Sequence, residues 1–366
     1  MNPSHSSSKL YITLALLALI LFTAACVPPT PTTLSPLPTI TPTSEAATPT
    51  DWITVYFTDP DSPTAGSYRG GPDDDLAAAI DEARFSVDAA VYHLNLWSIR
   101  DALVAAHQRG VTVRVVTESD NLDEIEIQDL IDAGIPVISD RRESLMHNKF
   151  VIIDEHEVWT GSMNFTVNGA YKNDNNLLKI RSSRLAENYI TEFEEMLVDD
   201  FFGDYVVENT PHPSLDIEGI RLDTYFSPDD GTADEIIDII LSTEESIYFL
   251  AFSFTSDDIA AALIQQADQG VTVSGVFEEG QYRSNRGTEY DNLREAGLDV
   301  RLDGNNRNMH HKLFIIDGEI VITGSYNFSR SAEERNDENT LVIYNAEIAE
   351  LFLKEFDRVF EKTKQE

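Results

Sequence analysis

Two stretches of the sequence carry side chains suited to acid–base and nucleophilic work at matching offsets. One runs from His147 through Lys149 to Asp154, the other from His310 through Lys312 to Asp317. Each is followed by Gly-Ser-x-Asn: Gly161, Ser162 and Asn164 in the first, Gly324, Ser325 and Asn327 in the second. Residues two apart on a strand share a face, so each imidazole stands beside an ammonium. The lysines and asparagines can hold anionic oxygens, with serine as a further donor. One imidazole can attack phosphorus while the other protonates the leaving oxygen. The set suits a phosphate ester. A single His-x-Lys is ordinarily a solvated strand face, but the recurrence of every offset argues against that here.

The recurrence extends along the chain. Residues 146–166 align without a gap to 309–329, with 12 identities in 21 positions. Upstream, 83–94 corresponds to 243–254, 105–118 to 265–278, and 132–137 to 295–300. Within each copy an amphipathic helix (73–84; 232–243) leads into an apolar strand (86–92; 246–252). A second helix (97–109; 257–269) stops at Gly110 or Gly270, and a strand follows at once. After a further helix, the motif reads as strand–turn–strand, followed by a third strand and a closing helix (183–200; 346–360). Alternating strands and helices predict an α/β sandwich with a mixed sheet in each copy. The copies are expected over 51–205 and 220–366, with turn residues near 203–220 at the join.

The signature HxKxxxxD followed by GSxN, present twice, closely resembles that of the phospholipase D superfamily over residues 52–360. The resemblance implies two tandem phospholipase D-like α/β sandwich repeats related by a pseudo-two-fold axis. Both motifs would meet there in one active site. It implies metal-independent phosphodiester hydrolysis or transfer through a phosphohistidine, with no cofactor. His147 and His310 would be the nucleophile and acid pair. Lys149, Lys312, Asn164 and Asn327 would bind the phosphate, assisted by Ser162 and Ser325. Asp154 and Asp317 belong to the motif's catalytic set, but are expected to fix the local loops rather than touch substrate. Family members often orient one imidazole with a downstream carboxylate. Here the second copy reads Asn336-Asp337-Glu338-Asn339, whereas the first reads Asn173-Asp174-Asn175-Asn176. On the family pattern Glu338 partners His147 across the axis, which makes His147 the nucleophile and His310 the general acid/base.

Other candidates read more plainly. His310 and His311 could suggest a metal pair, but strand neighbours face opposite ways and the first copy has Asn148 there. No metal site is expected. His93, His107, His156 and His212 lack counterparts in the other copy and read as surface or core residues. Tyr92 and Phe252 occupy equivalent strand ends, where core packing competes with a substrate-facing role. Glu118 and Glu278 also correspond, as cleft-lining or structural carboxylates. The acidic run Asp73, Asp74, Asp75 reads as a helix N-terminal turn.

The chain has 366 residues, 64 acidic and 26 basic, for a net charge of −38, with 42% hydrophobic residues. That composition excludes wholesale disorder and argues against a protein that coats nucleic acid. Yet the motif-bearing segments 141–184 and 283–335 together sum to +1, against −39 for the rest of 51–366. The expected substrate is a phospholipid or other phosphodiester. The alternatives are an endonuclease using the same two histidines, and a non-catalytic envelope protein that keeps the fold for binding. With both motifs in one chain, a monomer suffices.

The N-terminus adds a location. Residues 10–25 are almost wholly apolar, follow Lys9 and end in small residues before Cys26, the single cysteine. This resembles a bacterial lipoprotein signal, although Thr23 stands where a branched aliphatic residue is usual. Removal of 1–25 and lipidation of Cys26 would tether the protein to a membrane outside the cytoplasm. An uncleaved anchor or a plain secretory signal would give the same side. Residues 26–50 are Pro/Thr-rich with one charge, and read as an extended stalk.

Overall fold

A computed structural model describes residues 44–47 and 49–363. The signal-like segment, Cys26 and most of the Pro/Thr-rich stretch lie outside the described residues. The first repeat comprises β1 (Ser44–Ala47), β2 (Ile53–Thr58), α1 (Pro72–Glu82), β3 (Ser86–Val91), α2 (Trp97–Gln108), β4 (Thr112–Thr117), α3 (Ile125–Asp132) and β5 (Val137–Ser139). It continues through β6 (Lys149–Ile153), β7 (Glu157–Gly161), α4 (Val167–Tyr171), β8 (Asn176–Arg181) and α5 (Ser183–Glu194). The second comprises β9 (Ser214–Ile217), β10 (Ile220–Ser227), α6 (Thr232–Leu241), β11 (Ser246–Ala251), α7 (Asp257–Asp268), β12 (Thr272–Phe277), α8 (Glu279–Ser284) and α9 (Tyr290–Glu295). It ends with β13 (Asp299–Leu302), β14 (Lys312–Ile316), β15 (Ile320–Gly324), α10 (Arg330–Glu334), β16 (Glu338–Tyr344) and α11 (Ala346–Glu361).

The two sheets share one topology. Their strand orders are β1-β2-β8-β7-β6-β3-β4-β5 and β9-β10-β16-β15-β14-β11-β12-β13. β3, β4 and β5 pair in parallel, as do β11, β12 and β13, and the remaining pairs are antiparallel. This is the mixed α/β sheet expected from the alternation. The motif strands are buried on both faces, which explains their unbroken apolar runs. Phe150 and Ile152 of β6 and Leu313 and Ile315 of β14 enter one central core, joined by α5 and α11. The intervening Val151 and Ile153, and Phe314 and Ile316, enter separate outer cores under the other helices. Gly110 and Gly270 end α2 and α7 with φ of 91° and 98°, a region that favours glycine.

Three boundaries differ from expectation. Ser44–Ala47, read as stalk, pairs antiparallel with β2 from Ser44↔Thr58 to Ala47↔Val55. Backbone pairing onto an open strand edge needs no apolar side chains, so composition could not reveal it. The second repeat starts at Ser214 rather than 220, because β9 is the counterpart of β1. The first closing helix keeps α geometry only to Glu194. One wider, π-type turn follows, and Asp200 stops it with φ 59°. Among the described residues no helix is long and apolar enough to cross a membrane.

The motif aspartates tie each repeat together away from the histidines. Asp154 (φ 53°) accepts from the backbone N–H groups of Arg84, Phe85 and Ser86 at 2.6–3.1 Å. Asp317 (φ 49°) does the same for Glu244, Glu245 and Ser246 at 2.8–2.9 Å. Each carboxylate thus caps the turn leading into β3 or β11. The expected result for Asp154→Ala is a loss of about 2 kcal/mol in chemical denaturation, from charge-assisted bonds to backbone donors. The turnover per folded molecule should stay near wild type. A turnover loss as large as that of a histidine variant would return this aspartate to the reaction.

Candidate active site

His147 and His310 sit two residues ahead of β6 and β14, and each approach segment is bonded to the other repeat. His147 N–H donates to the Asp337 carbonyl and Asp337 N–H to the Leu145 carbonyl, both at 3.0 Å. In the other half His310 N–H donates to the Asp174 carbonyl at 2.9 Å, and Asp174 N–H to the Asn308 carbonyl at 3.0 Å. Two short parallel bridges result, Met146 with Asp337 and Asp174 with Met309. They bring both motifs to the boundary between the repeats, as the family pattern implies.

The side chains follow the same exchange. His147 Nδ1 lies 2.7 Å from Glu338 Oε2 of the other repeat. His310 Nδ1 lies 2.9 Å from Asn175 Oδ1 and 3.1 Å from the Ser162 carbonyl. The Asn175 amide is oriented by its Nδ2, which donates to the Gly169 carbonyl, so its oxygen faces the ring. Both of these are acceptors, and they lie closer than Lys312 Nζ, which stands 3.4 Å from Nδ1. In the neutral ring the proton sits on Nδ1 and the lone pair on Nε2. Asn175, read from the sequence only as a missing carboxylate, holds His310 as Glu338 holds His147.

Lys149 and Lys312 are buried beneath the rings. Lys149 Nζ donates to the His147 carbonyl at 2.5 Å and lies 4.9 Å from the Tyr92 ring centroid. Lys312 Nζ donates to the His310 carbonyl at 2.9 Å, sits 3.2 Å from His310 Nε2 and lies 4.7 Å from the Phe252 centroid. Tyr92 and Phe252 also meet the imidazoles, at 4.7 Å from His147 and 4.4 Å from His310. Both aromatics are half-buried, so they wall the site rather than fill a core.

Burial governs the charges. It pushes Lys149 down to about 7, with Glu338 opposing, and drives Lys312 well below its usual range, helped by Lys149. Both imidazoles are also held well below their ordinary value by burial and by the two lysines. Burial raises Glu338 to about 8, against the pull of Lys149. An empty site therefore resists full ionisation, and an anion among these groups would draw protons onto the lysines and imidazoles.

The remaining motif residues divide. Asn164 and Asn327 each bury an amide oxygen with no hydrogen-bond partner, at equivalent places in the two copies. Ser162, expected to assist in binding phosphate, is engaged within the protein. Its hydroxyl donates to Asn175 Oδ1 and accepts from Asn176 N–H, both at 3.0 Å. Ser325 likewise accepts from Asn339 N–H at 3.0 Å and lies against the Glu338 carboxyl. The serines hold the acceptors that hold the histidines. Asp154 and Asp317, placed in the motif's catalytic set, stand at the far ends of β6 and β14. They lie about 16 Å along an extended chain from the lysines.

Behind the histidines runs a buried layer the motif did not announce. Asn339 Nδ2 donates to Asn148 Oδ1 and Thr160 Oγ1 to Asn339 Oδ1, both at 2.7 Å. In the mirror half Asn176 bonds His311 Nδ1 and Thr323, each at 3.2 Å. His311 Nε2 meets Glu355 at 2.8 Å. Asn176 and Asn339 at matching places in both copies were the available signal. Among the described residues no three His, Cys, Asp or Glu side chains gather as a metal site would require. His93, His156 and His212 pair with Glu124, Ser183 and Glu187 away from the motifs. Glu118 accepts Met146 N–H at 2.8 Å and so supports the approach to His147.

Comparison with known proteins agrees with this geometry. The family model described as "Cardiolipin synthase, PLD-like domain" matches residues 76–197 and again 236–360. A phospholipase D of Rickettsia bellii is 34% identical over 164 residues, 42% of this chain and 80% of that protein. A mitochondrial cardiolipin hydrolase of Mus musculus is 35% identical over 123 residues, 34% of this chain. The match spans little more than half of that hydrolase, 55%. The crystal structure of a Haemophilus influenzae phosphatidylserine synthase shares the fold. Its TM-score is 0.63 over 80% of this chain and 84% of that one, at 15% identity. Because the family model covers both repeats and most of the folded body, the chain belongs to the phospholipase D superfamily.

Proposed function

We propose that the protein is a phospholipase D-type phosphodiesterase that cleaves phospholipids through a phosphohistidine, without a metal. The observation that carries this reading is the crossed pairing of His147 with Glu338 and His310 with Asn175. It fixes both rings through Nδ1 and turns Nε2 toward the reacting groups, with Lys312 Nζ 3.2 Å from that of His310. The diester's non-bridging oxygens lie among Lys149, Lys312 and the Asn164 and Asn327 side chains, whose amide N–H groups can donate to them. The bound anion favours the imidazolium form of His310, so His147 Nε2 attacks phosphorus as the His310 Nε2–H protonates the departing oxygen. Positive charge grows on the His147 ring, where the Glu338 carboxylate stabilises it. His310, facing a neutral amide, next takes a proton from water, and the resulting hydroxide oxygen displaces His147 from phosphorus.

The lipid substrate is supported by the names carried by the relatives and by the −39 charge outside the motif segments, which repels a long polyanion. The N-terminal segment supports a location outside the cytoplasm on a Cys26 lipid anchor. Replacement of Cys26 by Ser should then release the protein from membranes. Substrate class is tested by parallel assays, with chelator, on phosphatidylcholine, cardiolipin, single-stranded DNA and bis(p-nitrophenyl) phosphate. Cleavage of a lipid in chelator is the expected result. Preference for DNA would move the reading to a nuclease, and loss of all activity in chelator would contradict the mechanism.

Two further outcomes follow from the site. With His310 replaced by Asn, rapid quench should find phosphoryl or phosphatidyl groups accumulating on His147. Trapping on the His147→Asn variant instead would reverse the assignment. A bound anion raises the Lys149 pKa from about 7, so the bound state holds more protons than the empty one. Sulfate binding, followed by calorimetry in buffers of different ionisation enthalpy, should take up protons and weaken as pH rises from 6 to 9. Affinity independent of pH over that range would contradict the charge assignment.

A further inference from the structure

The two halves of the site are held by different devices, although the ungapped alignment pairs their residues one for one. Asp174 and Asp337 are equivalent, and each bonds the backbone beside the other repeat's histidine. Asp174 is gripped by cationic and amide side chains. Arg358 of α11 donates to Asp174 Oδ1 and Asn305 Nδ2 to Asp174 Oδ2, both at 2.6 Å. At the position equivalent to Arg358 the first repeat has Glu195, and at that of Asn305 it has Arg142. Neither can repeat the grip: Glu195 brings no cation, and Arg142 turns away.

The chain that joins the repeats takes over. Gly203 N–H donates to Asp337 Oδ1 at 2.7 Å. Arg142 donates to the Phe202 carbonyl, and to the Asp200 carbonyl at 2.9 Å. Its guanidinium lies 5.7 Å from the Phe202 ring and 4.4 Å from the Tyr205 ring. Phe202 is itself buried in the central core. The position of Gly203 is tight: its φ is 55°, and a Cβ there would lie 2.8 Å from the Arg335 carbonyl. Asp337 in turn receives His147 through its carbonyl and adjoins Glu338, the partner of His147 Nδ1.

We propose that the inter-repeat segment 200–205, locked by Arg142 and read by Asp337, is a strap that positions the His147–Glu338 pair. The inference rests on the phosphodiesterase reading above. Asp337 is a positioning residue: it acts through the backbone of His147 and through Glu338, not on substrate. Asp140, Glu338 and Glu192 face it alongside Arg142, and burial among these carboxyls favours its neutral form. An amide at 337 therefore keeps the acceptor oxygen that Gly203 N–H requires, whereas alanine removes it.

The test compares Asp337→Ala, Asp337→Asn, Arg142→Ala and Arg142→Lys in the full chain, with the exposed Arg283→Ala as control. Initial rates on bis(p-nitrophenyl) phosphate and thermal melts are measured together. Asp337→Ala and Arg142→Ala should lower kcat by roughly tenfold or more, the scale set by losing support behind a reacting group, with KM within about twofold. Asp337→Asn should recover most of the lost kcat. Arg142→Lys should fall between wild type and Arg142→Ala, and keeps the test valid if the alanine variants do not fold. Wild-type kcat in both Arg142 variants would overturn the strap, as would an Asp337→Asn enzyme as slow as Asp337→Ala. An inactive wild type would instead remove the phosphodiesterase reading on which the strap rests.

Discussion

Each of the two histidines has its backbone N–H bonded to a carbonyl of the other repeat, His147 to Asp337 and His310 to Asp174. That reciprocal exchange is the constraint from which the rest of the site follows. Neither repeat alone can orient its own imidazole, because the acceptor for each Nδ1 also comes from across the boundary. Duplication of the whole sheet, down to the edge strands β1 and β9, places the two approach segments where they can make this exchange. A site made this way is buried by construction. The same burial lowers the imidazoles and lysines and raises Glu338, so the basic groups are poised to gain charge around an anion.

Symmetry of backbone coexists with asymmetry of side chain. In one half Asp174, Arg358, Glu355 and His311 form a continuous chain of ion pairs and hydrogen bonds. The equivalent positions in the other half hold Asp337, Glu195, Glu192 and Asn148. No arginine forms an ion pair with those carboxyls among the described residues, and burial with mutual repulsion pushes Glu192 and Asp337 well up. The uncompensated half is the one whose histidine meets a carboxylate. Charge balance, ring partner and linker contact thus change together across the pseudo-axis. A unidirectional reaction can use such a difference, since one ring must become covalently loaded and the other must shuttle protons.

Much of this was legible in the sequence, and for physical reasons. The β6 and β14 strands are buried on both faces, so their apolar runs and flanking His and Lys stand out and align without gaps. Gly110 and Gly270 mark helix ends because backbone with positive φ demands them. The Glu338–Asn175 difference was visible as two letters, and the family pattern placed Glu338 on His147. What escaped depends on contacts between distant segments. Ser162 and Ser325 looked like donors to substrate, but their hydroxyls are consumed by neighbouring backbone and amide groups. Nothing in the spacing distinguishes those uses. Asn175 as an acceptor, the paired Asn176 and Asn339, and the Gly203–Asp337 bond all require knowing which loops meet.

The central claim is that the identity of the Nδ1 acceptor decides which histidine becomes covalent. The most direct measurement exchanges the acceptors, Glu338→Asn together with Asn175→Glu, in the otherwise intact chain. Rapid-quench mass spectrometry on a slow diester substrate then locates the phosphorylated ring. Transfer of the label from His147 to His310 is the expected result. Label that stays on His147 in the exchanged protein would contradict the claim.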